Sequence, residues 1–286
     1  MKVAIVGANG QLGSDLCRAF AEAGAEVCAL THEHIEVTSL ASVREALGQL
    51  RPQVIVNTAA LHHVEQCEQE PERAFAVNAL GPRNLAVAAN EAGAVLVQIS
   101  TDYVFDGARG SPYVEADVPL PLNVYGNTKL AGEYFVRSIV PRHFIVRTSA
   151  LYGHAACRGK GGRNFVELML KLGAERGSVR VVTDETVSPT WTRELARQVV
   201  ALASTDAYGL YHATAEGCCT WYEFAREIFE QARLAVRVEP AAPGEFPQKT
   251  PRPKYSVLEN QALKKLALNL FRPWQQGLRD YLAARG

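Results

Sequence analysis

Two short stretches carry the residues best suited to chemistry: Ser100-Thr101-Asp102-Tyr103 and Tyr125-Gly126-Asn127-Thr128-Lys129. Tyr125 and Lys129 are four residues apart, so a helix through them puts phenol and ammonium on one face. The apolar run Val95 to Ile99 reads as a buried strand whose end delivers the Thr101 hydroxyl. Hydroxyl, phenol and ammonium together suit one task, handing a proton to or from a carbonyl or alcohol oxygen. A free phenol titrates near ~10, and a fixed positive charge nearby draws that value down. Lys129 is spaced to supply that charge. The pattern Tyr-x-x-x-Lys also arises on ordinary helices as a half-buried tyrosine beside a solvated lysine, so the assignment rests on finding a cofactor signal elsewhere.

That signal stands at the N-terminus. Lys2-Val3-Ala4-Ile5-Val6 reads as a buried strand, runs into Gly7-Ala8-Asn9-Gly10-Gln11-Leu12-Gly13 and continues as a helix to about Ala23. Strand, glycine-rich turn and helix make a nucleotide-binding βα unit. The glycines allow close backbone approach, and the helix start offers free N–H groups and partial positive charge to a pyrophosphate. A plain helix cap is the alternative, and the position straight after a first strand favours the cofactor. The second strand, Glu26 to Leu30, should end at the adenosine ribose, where Thr31, His32, Glu33 and His34 follow. No acid directly ends this strand and no arginine awaits a 2′-phosphate. Glu33 on a ribose diol, His32 on a phosphate and a solvated loop all stay open. The expected cofactor is NADPH or NADH with weak discrimination, tilted to NADPH by His32 and His34.

The positioning elements follow from the pattern around these motifs. Ser39 to Leu50 reads as a helix, Val54 to Asn57 as a third strand, Pro71 to Ala92 as one long helix and Phe144 to Arg147 as a fifth strand. Repetition of β and α predicts an α/β fold, a doubly wound parallel (Rossmann) sheet. Loop 106–124, rich in Gly, Pro and acids, suits a mobile cover. After Tyr152-Gly153 the pattern loosens into a basic, glycine-rich stretch (154–163), short strands such as Tyr211 to Ala213, several helices and a proline-rich loop (240–253). Residues 1–153 are therefore expected to form the NAD(P)-binding core. Residues 154–286 should be mainly a smaller α/β substrate-binding cap, with some segments returning to the core.

Composition excludes several classes. Thirty basic and 30 acidic residues give zero net charge, which offers nothing to nucleic acid or an anionic membrane surface. No apolar run approaches the ~18 residues of a membrane span, and no signal peptide is apparent, so a cytoplasmic protein is expected. The cysteines Cys17, Cys28, Cys67, Cys157, Cys218 and Cys219 lack metal-site spacing and read as reduced thiols. His62 and His63 have no carboxylate or thiol spaced to complete a metal site and read as loop histidines.

Seven motifs in order make the chain resemble the extended short-chain dehydrogenase/reductases over nearly its whole length. They are Gly7-x-x-Gly10-Gln11-Leu12-Gly13, Val56-Asn57-Thr58-Ala59-Ala60, Ser100 to Gly107, Asn123 to Lys129, Arg147-Thr148-Ser149, Ser188-Pro189-Thr190 and Arg252 to Leu258. Within that group the chain is most similar to the dTDP-4-dehydrorhamnose reductase family, which reduces nucleotide-linked 4-keto-6-deoxysugars. The resemblance implies that Thr101 and Tyr125 hold the keto oxygen and that Tyr125 donates the proton. It implies that Lys129 binds the nicotinamide ribose and lowers the phenol's pKa. Asp102 and Tyr103 would line the sugar site, and Gly10, Gln11 and Leu12 would meet the pyrophosphate. Ala60, Leu61 and His62 would lie along the cofactor, with Glu36 in place of a family acid near the adenosine. Some family members bind Mg2+, for which no site is evident here. The implied partner is a nucleotide sugar, and the implied state a monomer or homodimer. Departures fall on the substrate side: Ala150 stands where a tryptophan often contacts the sugar, Glu185 for a usual glutamine and Val187 for a usual glycine. His62 replaces a small residue. A nucleotide-sugar epimerase or dehydratase of the same superfamily is an alternative, although dehydratases carry Thr-Asp-Glu where this chain has Thr101-Asp102-Tyr103. A non-catalytic subunit like the regulatory subunit of methionine adenosyltransferase is another.

Overall fold

The computed structural model describes residues 1–157, 161–242, 245–246 and 249–285. Arg158, Gly159 and Lys160 of the glycine-rich stretch lie outside the described residues. So do Pro243, Gly244, Pro247 and Gln248 of the proline-rich one.

The first half alternates strands and helices: β1 (Lys2–Val6), α1 (Gln11–Glu22), β2 (Glu26–Leu30), α2 (Leu40–Leu50), β3 (Val54–Asn57), α3 (Val64–Gln69), α4 (Pro71–Phe75), α5 (Gly81–Ala92), β4 (Val95–Thr101), α6 (Val124–Ile139) and β5 (His143–Thr148). The second half is more broken: β6 (Leu151–Tyr152), α7 (Phe165–Arg176), β7 (Ser178–Val181), β8 (Thr186–Val187), β9 (Thr190–Trp191), α8 (Thr192–Ala203), β10 (Gly209–His212), β11 (Cys219–Thr220), α9 (Trp221–Gln231), β12 (Arg237–Pro240), α10 (Gln261–Lys265) and α11 (Trp274–Ala283).

Six strands make one parallel sheet in the order β10-β5-β4-β3-β1-β2. Its strands are apolar on both faces because helices cover both. Val3 and Ile5 point with Val54, Val97 and Phe144 towards α1 and α8. Ala4 and Val6 point with Ile55, Leu96 and Ile145 towards residues of α2, α5 and α6. A third core, with Tyr152, Met169, Trp191, Phe224, Trp274 and Tyr281, belongs to the second half of the chain.

The short strand expected at Tyr211 to Ala213 forms as β10 and is a later segment that lies in the central sheet, at its edge, with Tyr211 and His212 in register with Val146 and Arg147. Pairing with β5 is non-local, so spacing along the chain does not show it. The single helix expected over Pro71 to Ala92 is broken by a π turn, Ala76–Leu80. There α6 presses so close that a Cβ on Gly132 would lie 2.4 Å from the Asn78 carbonyl oxygen. Loop 106–124, expected as a mobile cover, is fastened: Tyr113 is buried, stacks on Phe105 at 4.2 Å, and its N–H donates to the Val257 carbonyl. Among the described residues no disulfide joins any of the six cysteines. Among the described residues no helix is long and apolar enough to cross a membrane.

Candidate active site

The glycine turn is shaped by close backbone contacts. Gly7 has φ +82°, and the N–H groups of Gly7 and Ala8 both donate to the Leu30 carbonyl at the tip of β2. A Cβ on Gly13 would sit 2.2 Å from the Gly7 oxygen, and one on Gly7 would sit 2.6 Å from Thr58 Oγ1. Gly10 caps α1 without a side chain, so the N–H groups of the first turn stay open to an anion. An added methyl at Gly7 or Gly13 would strike the protein's own atoms, so both glycines keep the turn closed against α1 and β3. The Gln11 side chain donates to the Gly153 carbonyl at 2.9 Å.

Beyond β2, Glu36 accepts from the Thr38 N–H and hydroxyl, both at 2.9 Å, and these bonds hold its carboxyl below the usual range. His34 Nδ1 meets the Thr31 hydroxyl at 2.9 Å, while His32 and Glu33 are exposed. After β3, Ala60, Leu61 and His62 lie half-buried in line. Leu61 is gripped on both sides by the Asn78 amide: its N–H donates to Oδ1 and its carbonyl accepts from Nδ2, each at 2.9 Å. His62 Nε2 lies 3.8 Å from Cys157 Sγ. No group of three or more His, Cys, Asp or Glu among the described residues is arranged to hold a metal ion.

Thr101 is the last residue of β4. Its hydroxyl donates to Asp102 Oδ1 at 3.0 Å and accepts from the Tyr103 N–H at 3.1 Å, starting a 3-10 turn over Asp102–Val104. Opposite, Asn123 caps α6, its Oδ1 accepting from the Gly126 N–H at 2.9 Å. A Cβ on Gly126 would lie 2.2 Å from the Tyr103 carbonyl oxygen, so glycine next to Tyr125 lets α6 reach the strand end. Tyr125 thereby comes close enough to the Thr101 hydroxyl for that hydroxyl to act on its phenol. The Tyr103 ring stands edge-on to Tyr125 at 5.7 Å. Lys129, one turn along and buried, donates from Nζ to the Ile99 carbonyl at 2.7 Å. Thr101, Tyr125 and Lys129 are thus brought together.

Their electrostatics differ from the expected scheme. Burial pushes the Tyr125 phenol above its usual 10, against the effect of the Thr101 hydroxyl, and the Asp102 charge adds to the rise. Lys129 is not turned to the phenol but to Ile99. Burial pushes its ammonium down to about 8, opposed by Glu133 and Cys67. Sharing a helix face does not suffice for the lysine to lower the phenol, because desolvation acts on both groups more strongly than on the pair.

On the substrate side, Asp102 is buried and accepts from the Ser149 hydroxyl at 2.8 Å, and burial raises its carboxyl. Ala150 follows in the left-handed region, φ +46°. Glu185 is buried and accepts from Trp221 Nε1 at 3.1 Å. Arg252 is ion-paired with Glu65, and its charge acts on Tyr103. Sequence reasoning assigned no role to Asn78, Glu133, Arg147 or Arg252. Arg147 and Arg252 stand in family motifs, and Glu133 stands four residues beyond Lys129.

The profile described as the RmlD substrate binding domain matches residues 1–285. A dTDP-4-dehydrorhamnose reductase of Streptomyces griseus is 42% identical over 287 residues, covering 98% of this chain and 92% of its own. The chain belongs to the dTDP-4-dehydrorhamnose reductase family. The spore coat polysaccharide biosynthesis protein SpsK of Bacillus subtilis is also 42% identical, over 99% of this chain and 98% of its own. Among solved structures, the family's Bacillus anthracis reductase in complex with NADP has a TM-score of 0.93 at 40% identity, with 99% of both chains covered. A Thermus thermophilus UDP-glucose 4-epimerase, TM-score 0.85 at 22% identity, shares the fold. The family match runs through both halves of the chain, so the broken C-terminal half is as much part of the family pattern as the sheet.

Proposed function

We propose that this protein is an NADPH-dependent reductase of a nucleotide-linked 4-keto-6-deoxysugar, dTDP-4-dehydrorhamnose or a close analogue. One observation carries the reading: Thr101 and Tyr125 hydroxyls meet at the strand end while Lys129 lies one turn behind, in a member of this family. The N–H groups of Gly10, Gln11 and Leu12 would hold the pyrophosphate, with Gly7 and Gly13 shaping the turn that presents them. Glu36 would stand near the adenosine, and Ala60, Leu61 and His62 along the cofactor. Lys129 would hold the nicotinamide ribose. The missing acid at the tip of β2 and the exposed His32 and His34 favour the phosphorylated form. When bound, the cofactor supplies hydride to the carbonyl carbon.

The chain's own residues handle the oxygen. The Tyr125 hydroxyl donates to the keto oxygen, and the Thr101 hydroxyl joins it by turning its one hydrogen from Asp102 to the substrate. Because its pKa is raised, Tyr125 is protonated at neutral pH and gives its proton to an alkoxide, a stronger base than phenolate. Asp102 fixes Thr101, and with Tyr103 it lines the sugar. Ala150 leaves a wall of that pocket open, which suits a sugar bulkier than rhamnose's precursor or differently configured.

The test is turnover of dTDP-4-dehydrorhamnose followed by nicotinamide absorbance, together with NADPH titration. Tyr125→Phe should lose ~10²- to 10⁴-fold in rate with NADPH affinity kept. Near-normal reduction by Tyr125→Phe with an inactive Tyr103→Phe would pass the role to Tyr103.

A further inference from the structure

Behind the three site residues lies a buried polar set that the mechanism above leaves unused. Glu133 stands one turn after Lys129 on α6. Its Oε1 accepts from Ser100 Oγ at 2.5 Å and from Arg147 Nε at 2.9 Å, and its Oε2 accepts from Arg147 Nη2 at 2.7 Å. Ser100, Glu133 and Arg147 are all buried, with Glu133 and Arg147 each only 2% exposed. A charged pair this deep is costly and is often no better for stability than apolar residues of the same volume. Stability alone therefore explains it poorly.

Its geometry offers an explanation. Successive residues of one strand end are gripped from one helix: Lys129 takes the Ile99 carbonyl, Glu133 takes the Ser100 hydroxyl, and Tyr125 meets the Thr101 hydroxyl. Tyr125, Lys129 and Glu133 are spaced by four, so all three reach from one face of α6. Arg147 comes from β5, paired with Ser100 in the sheet register, and locks the carboxylate by a two-pronged contact. The guanidinium also lies over the Phe105 ring at 5.2 Å. The charged or titratable groups around Lys129 are Glu133 on its own helix and Cys67 from α3, whose thiol burial pushes up to about 11 and so keeps neutral. Glu133 is then the fixed negative charge next to this ammonium.

We propose that Glu133 is a positioning residue for the reduction: locked by Arg147, it clamps the end of β4 to α6 and keeps a negative charge one helical turn from the Lys129 ammonium. This rests on the function proposed above. Losing the charge makes the ammonium easier to deprotonate, since burial then acts unopposed. Losing the clamp frees Thr101 to move relative to Tyr125.

The experiment reads two quantities in the full chain, kcat for the keto sugar and the pH at which NADPH affinity starts to weaken. In the wild type, affinity should weaken as pH rises through about 8, where Lys129 loses its charge. Glu133→Gln should move that break down by about one pH unit or more and cut kcat ~10-fold or more. Ser100→Ala removes the clamp and keeps the charge, so it should lower kcat with the break unmoved. If Glu133→Gln does not fold because Arg147 is left unpaired, Glu133→Gln combined with Arg147→Met replaces it, with both effects still expected. A folded variant with wild-type kcat and an unmoved break overturns the proposal, even if its melting temperature falls. A wild type that binds NADPH and reduces the sugar while the variants match it sinks this inference alone. A wild type that binds no NADPH removes the proposed function as well.

Discussion

Gly13 and Gly48 provide the same substitution with opposite expected outcomes. Both lie in helices, where alanine is favoured over glycine by about 1 kcal/mol. At Gly48 an added Cβ meets nothing within 4 Å, so Gly48→Ala should stabilise by about 0.5–1 kcal/mol. At Gly13 the same atom would sit 2.2 Å from the Gly7 carbonyl oxygen and 2.9 Å from Ala8 Cα. These are backbone atoms that cannot rotate aside, so α1 must lift from the turn. Overpacking of this kind costs about 1–3 kcal/mol, and the upper end applies where backbone meets backbone. After the propensity gain, a net loss of about 2 kcal/mol remains. For 286 residues the unfolding entropy is about 0.6 kcal/mol/K, so Gly13→Ala should melt about 3 °C lower and Gly48→Ala about 1–2 °C higher. The two differ more in binding. Lifting α1 withdraws the N–H groups of its first turn, and NADPH affinity should drop ~10-fold or more, about 1.4 kcal/mol, while Gly48→Ala binds normally. Thermal melts without ligand and calorimetric titration with NADPH test both. A Gly13→Ala protein that melts at or above the wild type and binds NADPH equally well would refute the claim that this glycine keeps the turn closed against α1.

Ala150 adopts φ +46° without being glycine, a conformation that costs a residue with a Cβ about 1–2 kcal/mol. Glycine's looser unfolded chain takes back part of that, so Ala150→Gly should raise the melting temperature by about 1–2 °C; a fall would mean the methyl packs against something that outweighs the strain. His212 is buried, and desolvation together with the Arg147 charge pushes its imidazole down to about 3 from 6.5. Between those values the unfolded chain binds a proton the folded chain refuses, so stability falls as pH drops through that window, by up to about 1.4 kcal/mol per unit. His212→Gln should show a shallower loss in acid denaturation, and an unchanged slope would show that His212 is protonated in the fold.

What the sequence reveals of the site is what local spacing encodes. Tyr125 and Lys129 four apart, Thr101 after an apolar run, and glycines after a first strand are short-range patterns, and the fold brings them together. Family motifs extend this to the whole chain. Local spacing does not encode partners from different elements. Arg147 meets Glu133 from a neighbouring strand, and Asn78 meets Leu61 through a π turn that helical periodicity conceals. The sense of the Tyr125 shift is hidden from the sequence for a related reason. Spacing reports which groups are near each other, whereas the pKa depends on how much water the fold removes from both. Similarly, loop 106–124 has the composition of a cover, and only the buried stacking of Tyr113 on Phe105 shows that it is fastened.

The position of β10 at the sheet edge has a consequence for synthesis of the chain. β5 ends at Thr148, and the strand that covers its outer edge ends at His212, 64 residues later. At ribosomal rates of 5–20 residues per second, that edge waits about 3 to 13 s for its partner. Its residues Phe144, Ile145 and Val146 are fully buried in the finished protein and form an apolar run with unpaired backbone groups while they wait. A nascent chain halted in this interval presents a sticky strand to its neighbours on the same messenger. Cutting the gene after the apparent nucleotide-binding half would make that transient exposure permanent.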